Sequence, residues 1–383
     1  MSACDECLRR TWLIARLSGH LDRRRKVLDE LLACPDSVLI EAIAGKAFPT
    51  VTREYASWGS AAAANSRQRA AAASVELLCR CEARYPERLH ALEGLAPAVL
   101  HICGGVKRLL SFCEHSPVAI IGARRANEYG RMVAAELAAD LARSGLTVLS
   151  GMASGIDSAA HRGALSAMGR TLAVMPCAAE LSYPVSAGAL HRQIIKLGVA
   201  VSELPPGSGA RAWSFRARNR ITIALANAVI VVQATEDSGT ARSAELAEQL
   251  GRPLGAVPGA IGTELSLLPH RLITEQRARL VQSAVEILDL LHLADDCDLA
   301  PDSEQSSLAA LRPLQRAILE LVACGGQSLQ GIISSGLAEP SYLLTELSRL
   351  ELAGLIRQSP GGRLLAGGQA VAQLRSEQRY MVS

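Results

Sequence analysis

The stretch of sequence that decides the fold runs from residue 118 to residue 157 and reads VAIIGARRANEYGRMVAAELAADLARSGLTVLSGMASGID. A short apolar run, Val118–Ile121, leads into a glycine, and a helix-prone stretch, Glu128–Ser144, is closed by Gly145. A second apolar run, Thr147–Ser150, again leads into a glycine. Short apolar runs bounded by glycines are typical of buried strands, and glycine is common just after a helix. The pattern therefore predicts strand, helix, strand.

The same alternation continues as far as residue 257. Because the strand-like runs are apolar throughout, both faces of the sheet should be covered by helices. The sequence therefore predicts an α/β fold, namely a Rossmann-like, doubly wound and mainly parallel sheet. The further predicted strands are Thr171–Met175, Val199–Ser202, Ala228–Val232 and Leu254–Val257, and the further predicted helices are Ile156–Met168, Leu190–Leu197, Phe215–Ala226 and Ala241–Leu250.

The segments on either side of this region differ from it. Residues 1–84 carry leucines at helix-like spacing and an alanine-rich stretch, which predict a helical N-terminal domain. The Rossmann-like domain is assigned to residues 85–292, and the acidic residues 293–307 are typical of a solvated linker. Residues 308–368 contain three helix-prone stretches and a hairpin pattern, which predict a winged-helix-like domain.

The last predicted helix of that domain, Pro340–Ala353, is poor in positive charge. It carries Glu346 and Glu351 but only one cation, Arg349. A helix that enters the major groove of DNA is usually more basic. We therefore expect this domain to contact protein or to stabilise the chain.

Composition limits the classes of protein that the chain can belong to. The chain has 383 residues, 49% of them hydrophobic, and a net charge of +3. Any binding to nucleic acid must therefore come from a local concentration of positive charge. No apolar run approaches the roughly 20 residues that a membrane span needs, and the polar N-terminus has no apolar secretion signal. These features predict a cytoplasmic protein that makes no contact with membranes.

The ten cysteines include two closely spaced pairs, Cys4 with Cys7 and Cys79 with Cys81. A structural zinc site needs four converging ligands, usually two such pairs at a defined spacing. Cys34 and His20 could supply further ligands, but the spacings match no familiar zinc pattern. The sequence therefore favours reduced, partly buried thiols over a metal or redox site, and it predicts neither a metal nor a cofactor.

Ligands of an open parallel sheet bind beyond the carboxyl ends of its strands, so four segments are candidates. Each places glycine, hydroxyl or arginine residues near the start of a predicted helix, where backbone N–H groups and the helix dipole favour anions. The candidate nucleic-acid-binding residues in these segments are Gly122, Arg124, Arg125, Ser150, Gly151, Gly155, Arg211, Phe215, Arg218, Asn219, Arg220, Ser238, Gly239 and Thr240.

The most basic of these segments is residues 207–220. It contains four arginines, with Trp213 and Phe215 among them and no acidic residue between Leu204 and Asn227. Arginines interleaved with aromatic rings suit a single strand of nucleic acid, because phosphates pair with the charges and bases stack on the rings. The alternative is an ordinary solvated helix face, although such faces usually mix charges of both signs.

Catalytic signatures are weak throughout the chain. Asp157 and His161 are four residues apart and share a helix face, so they could form an acid/base couple, a metal pair or a structural brace. No nucleophile or third ligand accompanies them, which favours the brace. The phosphate-binding pattern GxxxxGK[ST] is missing, the loop after the first strand lacks the dinucleotide pattern GxGxxG, and no acidic residue follows the second strand to hold a ribose. We therefore predict no catalytic residue and no enzymatic activity.

Taken together, the segments resemble the DprA/Smf (DNA-processing protein A) family over roughly residues 85–290. The order and spacing of many blocks carry this resemblance. They are Val118-Ala-Ile-Ile-Gly-Ala-Arg124 with Tyr129-Gly130, Ser150-Gly-Met-Ala-Ser-Gly-Ile-Asp157 with Ala160-His161, Tyr183-Pro184, Ser202-Glu203, Phe215 with Arg218-Asn-Arg220, Ser238-Gly-Thr240 and Val257-Pro-Gly259.

The resemblance implies a Rossmann-like domain that binds single-stranded DNA in a basic pocket. It also implies a homodimer and transfer of the DNA to the recombinase RecA during natural transformation. By the resemblance, Arg124 is the binding arginine after the first strand, and Arg218 and Arg220 belong to a second binding segment. The alternative for Arg220 is a structural role, for example an ion pair with Glu203. The family's usual serine before the first arginine is Ala123 here.

Two other functions fit parts of the sequence. Pro258-Gly-Ala-Ile-Gly-Thr-Glu264 is similar to the catalytic motif of phosphoribohydrolases of the LONELY GUY type, which cleave nucleoside monophosphates. In this chain the second glycine of that motif is Ala260, and Glu264 directly follows Thr263 instead of lying three residues beyond it. The other alternative is a nucleotide-sensing module without a role in DNA binding.

Overall fold

The computed structural model describes residues 3–44, 48–291, 311–323, 327–352, 355–358 and 363–366. They belong to two compact units, Met1–Gln282 and Ser283–Ser383. Within the described part of the chain, no helix is both long enough and apolar enough to span a bilayer.

The larger unit is built on a nine-stranded sheet with the order β1-β2-β6-β5-β4-β3-β7-β8-β9. β1 and β2 form an antiparallel pair, and β2 is antiparallel to β6, whereas all other neighbours are parallel. The strands are β1 (Glu76–Cys79), β2 (Val99–Cys103), β3 (Val118–Ile121), β4 (Thr147–Ser150), β5 (Arg170–Val174), β6 (Val199–Ser202), β7 (Ala228–Val231), β8 (Leu254–Ala256) and β9 (Arg279–Leu280).

Helices cover both faces of this sheet. Alternate residues of β5 and β6 point into different hydrophobic clusters: Leu172 and Val201 into one, Ala173 and Ala200 into the other. This two-sided burial explains why the central strands are apolar at every position, and the predicted doubly wound fold is confirmed. The helices are α7 (Val106–Glu114), α8 (Glu128–Arg143), α9 (Ile156–Ser166), α10 (Gly188–Leu197), α11 (Ala212–Leu225), α12 (Gly239–Gln249) and α13 (Leu267–Thr274).

Six helices precede the sheet in the chain. Their leucines form a core that also includes Trp213 and Ala217 of α11. The indole of Trp213 is fully buried and donates to the hydroxyl of Ser18 at 2.8 Å. The N-terminal helices therefore pack directly on the Rossmann-like part. They are α1 (Asp5–Arg16), α2 (Ser18–Arg23), α3 (Leu28–Ala33), α4 (Asp36–Ala44), α5 (Phe48–Ala56) and α6 (Ser60–Ala72).

The predicted domain boundary at residue 84 differs from the structure. β1 already belongs to the sheet, because Leu78 and Cys79 pair with Leu100 and Val99 of β2. The helical part therefore ends before residue 76. The sequence did not indicate β1, β2 or β9, since the pairing of β1 and β9 at the two sheet edges depends on partners distant in the chain.

The smaller unit contains α14 (Ala284–Leu290), α15 (Pro313–Ala323), α16 (Leu329–Ser334) and α17 (Pro340–Leu352). Its antiparallel sheet has the order β10-β12-β11, with β10 at Gln327–Ser328, β11 at Ile356–Gln358 and β12 at Arg363–Ala366. Three helices and a hairpin occur where the sequence placed them, while the winged-helix assignment stays a prediction. The predicted linker, residues 293–307, lies outside the described residues.

One acidic side chain of α17 is buried. Glu346 is 1% exposed and accepts hydrogen bonds from Arg349 at 2.5 Å and from Gln315 at 2.6 Å. Arg312 forms a further ion pair with it at 3.3 Å. The expectation that α17 does not contact DNA rests on the negative charges of Glu346 and Glu351. Of these two, the charge of Glu346 is paired inside the unit.

The crossing of α8 and α9 gives a test of the packing. A methyl group at Gly163 would overlap the backbone carbonyl oxygen of Ala135, which cannot move without shifting α8. We expect Gly163→Ala to lower the free energy of unfolding by about 1–3 kcal/mol. Urea unfolding followed by tryptophan fluorescence measures this loss, because Trp12, Trp58 and Trp213 all lie in the larger unit.

Gly188→Ala in α10 is the matched control. The nearest heavy atoms to a methyl group there are 3.6 Å away, so this helical position has room for alanine. We expect the control to be neutral or stabilising by up to about 1 kcal/mol. Equal stability of the two variants would contradict the described contact between α8 and α9.

Candidate functional site

The order of the strands places a crevice at the carboxyl ends of β3 and β7. From β3 the chain passes through α8 to β4, whereas from β7 it passes through α12 to β8 on the opposite side. Ligands of doubly wound sheets bind at such a switch point. The loops after β3 and β7 are joined there, because the backbone N–H of Ala123 donates to the carbonyl oxygen of Gln233 at 2.6 Å.

Gln233 organises the first loop, and the sequence did not identify it. Its amide nitrogen donates to the side-chain oxygen of Asn127 at 2.8 Å, and its amide oxygen accepts from the Asn127 backbone N–H at 3.3 Å. Asn127 in turn caps α8 by accepting from the Gly130 N–H at 2.9 Å. A glutamine at a strand end carries no local signal for this role, since its partner lies 106 residues away.

The predicted phosphate-binding glycines also let the loops pack against one another. A Cβ atom at Gly122 would lie 2.6 Å from Ile156 and 2.8 Å from the carbonyl oxygen of Gln233. Gly155 has φ +83°, a conformation that favours glycine, and a side chain there would overlap the carbonyl oxygen of Ala123. These two glycines are therefore required by the architecture of the loops.

An exposed arginine and two aromatic rings form the surface of the site. The guanidinium carbon of Arg124 lies 4.4 Å from the centroid of the Phe215 ring. The ring of Tyr183 meets Phe215 edge-on at 5.0 Å between centroids. Arg124 forms no hydrogen bond or ion pair with the described residues, so its donors are available to a ligand. The neighbouring Arg125 is exposed as well.

A buried charge pair lies beneath the second loop. Arg218 is 6% exposed, donates to the carbonyl oxygen of Val174 at 3.2 Å and lies 3.8 Å from the carboxylate of Asp157. Burial lowers the pKa of Arg218 and raises the pKa of Asp157, and the attraction between the two charges offsets part of both shifts. A methyl group at Gly151 would overlap this guanidinium, so Arg218 supports the loop from below.

Arg220 is a structural residue, which corrects its predicted place among the DNA contacts. It is 5% exposed and pairs with both carboxylate oxygens of Glu203, at 2.8 and 2.6 Å. It also donates to the carbonyl oxygens of Leu95 and Ala217. With its donors paired inside the protein, Arg220 has no free side to offer a ligand.

Other arginines of the basic segment are divided between structure and surface. Arg216 pairs with Asp29 of the N-terminal helices at 2.8 Å, whereas Arg211, the residue before α11, is exposed. The segment contains no acidic residue, but acidic residues from elsewhere in the chain neutralise most of its arginines. Arg211 therefore contributes the exposed charge of the segment.

Two further polar residues are held inside the protein. The hydroxyl of Ser150 is buried and donates to the carbonyl oxygen of Ile120 at 2.7 Å, so its predicted contact with DNA is corrected to a structural bond. His161 is fully buried beside the hydroxyl of Thr171, with a ring nitrogen 2.7 Å from it. Burial lowers the pKa of His161 to about 3, so the ring is neutral and serves as a brace.

The fourth predicted segment forms the N-terminus of α12. The hydroxyl of Ser238 caps this helix by accepting from the Ala241 N–H at 3.2 Å. Asn219 of α11 reaches towards the helix and donates to Ser243 at 3.2 Å. Gly239 is exposed and Thr240 half-buried, so the first turn of α12 faces the surface beside α11.

Comparison with known proteins identifies related chains. Residues 76–292 match the family model described as DNA recombination-mediator protein A. The DNA processing protein DprA of Mycobacterium tuberculosis is 37% identical over 288 residues, which cover 73% of this chain and 72% of the relative. Protein Smf of Escherichia coli is 34% identical over 286 residues, 73% of this chain and 74% of the relative.

Solved structures show the same fold. The crystal structure of DNA processing protein A from Streptococcus pneumoniae matches with a TM-score of 0.59 and 26% identity over 76% of this chain and 98% of that one. A structure from Helicobacter pylori, described as showing a single-stranded DNA binding mode of DNA processing protein A, matches with a TM-score of 0.51 and 28% identity over 58% of this chain and 98% of that one.

The fold and the switch-point site define a Rossmann-like ligand-binding protein with a cationic, aromatic surface. The family model matches more than half of the chain, and relatives at least 30% identical to it are covered over more than two thirds of their length. The chain belongs to the DprA/Smf family of DNA-processing proteins, and the resemblance noted in the sequence is confirmed. This is a family of DNA-processing proteins and not of enzymes.

The pairing of Arg220 with Glu203 leads to a test of its structural role. Removing one partner leaves the other charge buried without compensation, so we expect Arg220→Ala to lower the free energy of unfolding by about 3–5 kcal/mol. The double variant Glu203→Leu/Arg220→Met removes both charges and should recover most of the loss. Urea unfolding of the full chain measures both values.

Arg211→Ala is the control, since Arg211 is exposed and its loss should change stability by no more than about 0.5 kcal/mol. An Arg220→Ala variant that is as stable as the parent but has lost affinity for DNA would place Arg220 in the binding surface after all.

Proposed function

We propose that this protein binds single-stranded DNA across the carboxyl edge of its sheet. The observation that carries the proposal is the stack of Arg124 on Phe215, which presents a free guanidinium and an aromatic ring at the switch point. A single strand offers the complementary groups, namely phosphates for the charge and unpaired bases for the ring. The relative from Helicobacter pylori, whose structure concerns a single-stranded DNA binding mode, supports the same ligand.

The proposed contacts lie in the loops after β3 and β4, in α11 and at the start of α12. Arg124 and Arg125 follow β3, Arg211 and Phe215 begin α11, and the first turn of α12 lies next to α11. Backbone N–H groups at a helix start and exposed guanidinium groups both bind phosphate. The residues proposed to contact DNA are Gly122, Arg124, Arg125, Gly155, Arg211, Phe215, Asn219, Ser238, Gly239 and Thr240.

Arg218 and Gly151 act from beneath this surface in our proposal. Arg218 is buried but positively charged, so it contributes to the potential of the site without touching DNA. Gly151 has no side chain and so leaves room for the guanidinium of Arg218. Ser150 and Arg220 are left out of the contact set because their polar groups are bonded inside the protein.

We further propose that the protein transfers its bound strand to the recombinase RecA and acts as a homodimer in the cytoplasm during natural transformation. The description of the matched family as a recombination mediator supports the role with the recombinase. Ile261, Leu267 and Leu280 are exposed apolar side chains in the part of the chain that runs from β8 to β9, and we propose that they take part in self-association.

Neither alternative function is favoured. The phosphoribohydrolase requires a catalytic glutamate, but Glu264 opens a short 3-10 helix, is exposed and departs from the motif's spacing. The curated relatives are named for DNA processing, which also argues against a nucleotide sensor without a role in DNA binding. Release of free base from a nucleoside monophosphate would distinguish the phosphoribohydrolase.

The central test is the affinity for a labelled single-stranded oligonucleotide, measured by fluorescence anisotropy at two salt concentrations. Arg124→Ala removes a charge-assisted hydrogen bond worth about 1.5–3 kcal/mol, so we expect a roughly 10- to 100-fold weaker affinity. The slope of log affinity against log salt concentration should become shallower by the contribution of about one phosphate contact. Arg124→Lys should recover the charge but not the stacking on Phe215.

Arg53→Ala is the matched control, because Arg53 is an exposed arginine of α5 in the N-terminal helices. It should leave both affinity and salt dependence unchanged. If Arg124→Ala remains folded and binds like the parent, the surface around Phe215 is not the DNA site.

The recombinase step is tested separately. On single-stranded DNA covered by a single-strand-binding protein, the parent protein should shorten the lag before RecA hydrolyses ATP. Arg124→Ala should lose this effect in proportion to its loss of DNA affinity. A full effect of Arg124→Ala, or no effect of the parent, would contradict transfer of DNA from this surface.

A further inference from the structure

Four cysteines that are distant in the sequence meet at one place in the larger unit. The Sγ atoms of Cys4, Cys7, Cys79 and Cys81 all lie within 4.8 Å of one another. Cys4 and Cys7 belong to the start of α1, and Cys79 ends β1, with Cys81 in the turn that follows. The cluster therefore joins the first helix of the chain to the first strand of the sheet.

The separation of the sulfur atoms matches a metal site better than a disulfide. In tetrahedral coordination, Zn–S bonds of about 2.3 Å place neighbouring sulfurs about 3.8 Å apart. The Sγ atoms of Cys7 and Cys81 are 3.6 Å apart. A disulfide bond would bring two sulfurs to about 2.05 Å, and all four cysteines are free.

Local structure directs both pairs towards the same point. Cys4 is the N-cap of α1 and Cys7 lies one turn further on, so the two side chains share a face of the helix. After β1 the chain turns, with the N–H of Glu82 donating to the carbonyl oxygen of Cys79 at 3.0 Å. The Glu82 carboxylate accepts from the Cys79 N–H at 3.2 Å and holds this turn in place.

The surroundings are those of a structural metal site. Cys7 and Cys79 are 2% and 1% exposed and belong to a hydrophobic cluster that also contains Ala3, Leu8 and Leu77. Four sulfur ligands complete a tetrahedral shell and leave no open position for substrate or water. Thiolates are soft ligands that select zinc over magnesium or calcium.

We propose that Cys4, Cys7, Cys79 and Cys81 bind one Zn²⁺ ion that fastens α1 to the edge of the sheet. Binding converts four thiols to thiolates and releases four protons, so no oxidant or reductant takes part. The ion closes a long loop, because Cys7 and Cys81 are 74 residues apart. This proposal replaces the interpretation of these residues as simple thiols, which the sequence favoured because the spacing of the pairs is unusual.

The site is distinct from the proposed DNA surface, so the two can be tested independently. None of its ligands belongs to the loops after β3, β4 or β7. The ion is expected to support stability and the position of the N-terminal helices, which pack on α11 through Trp213. Loss of zinc should therefore lower the melting temperature, while protein that remains folded keeps the contacts of Arg124.

The experiment measures zinc in the purified full-length protein by inductively coupled plasma mass spectrometry. We expect one zinc per chain in the parent and almost none in Cys7→Ser or Cys79→Ser. Cys113→Ser is the control, because Cys113 is a half-buried free cysteine of α7 outside the cluster, and it should retain one zinc. Replacement of zinc by Co²⁺ should produce the thiolate-to-metal charge-transfer and visible bands of a tetrahedral tetrathiolate complex.

A second measurement on the parent protein covers the case in which the cysteine variants do not fold. Removal of zinc with a chelator should lower the melting temperature by several degrees, and added Zn²⁺ should restore it. A parent protein without zinc that also fails to bind added Zn²⁺ or Co²⁺ would overturn the proposal. So would zinc that stays at one per chain in folded Cys7→Ser and Cys79→Ser, or a disulfide between Cys7 and Cys81 under reducing purification.

Discussion

The architecture of the site depends on the backbone of one residue, Ala123. Its N–H donates to the carbonyl oxygen of Gln233, and its own carbonyl oxygen accepts from the N–H of Ile156 at 3.3 Å. Three loops from three strands are thereby joined through a single peptide segment. The junction forms only because Gly122 and Gly155 have no side chains where the loops approach. Arg124 follows directly, so this junction sets its position on the surface.

The arginines near the site show how burial divides identical side chains between two tasks. A guanidinium inside the protein must be paired, because an isolated buried charge costs several kcal/mol. Arg220 with Glu203 and Arg218 with Asp157 meet this requirement. Arg124, in contrast, is exposed and rests on an aromatic ring, so it keeps its donors for a ligand. Exposure, more than the number of arginines, therefore defines the proposed binding surface.

Helix α11 links the site to the N-terminal helices. Phe215 faces Arg124, while Trp213, two residues earlier, is buried among the leucines of the N-terminal core. Arg216 is held by Asp29 of the same helices. The N-terminal helices therefore position the helix that carries part of the proposed DNA surface. The proposed zinc site would anchor these helices at their other end, where α1 meets β1.

The sequence by itself determined the central fold and the family, and it predicted Arg124 as a residue of the candidate site. Apolar runs such as Val118–Ile121 and the glycines after them reflect local requirements, namely burial on both faces and tight turns, which remain legible without a structure. The order of the blocks around Arg124 and Phe215 also identified the family correctly.

Only the tertiary structure decided which polar residues are free and which are paired. Ion pairs also form across long sequence separations, so Asp29, the partner of Arg216, could not be found from the sequence around that arginine. The same reason hid Gln233, whose partner is distant, and the meeting of Cys7 with Cys81. A local sequence pattern indicates whether a segment is buried or turns. Which distant residues come into contact depends on the topology of the whole folded chain, which no single segment contains.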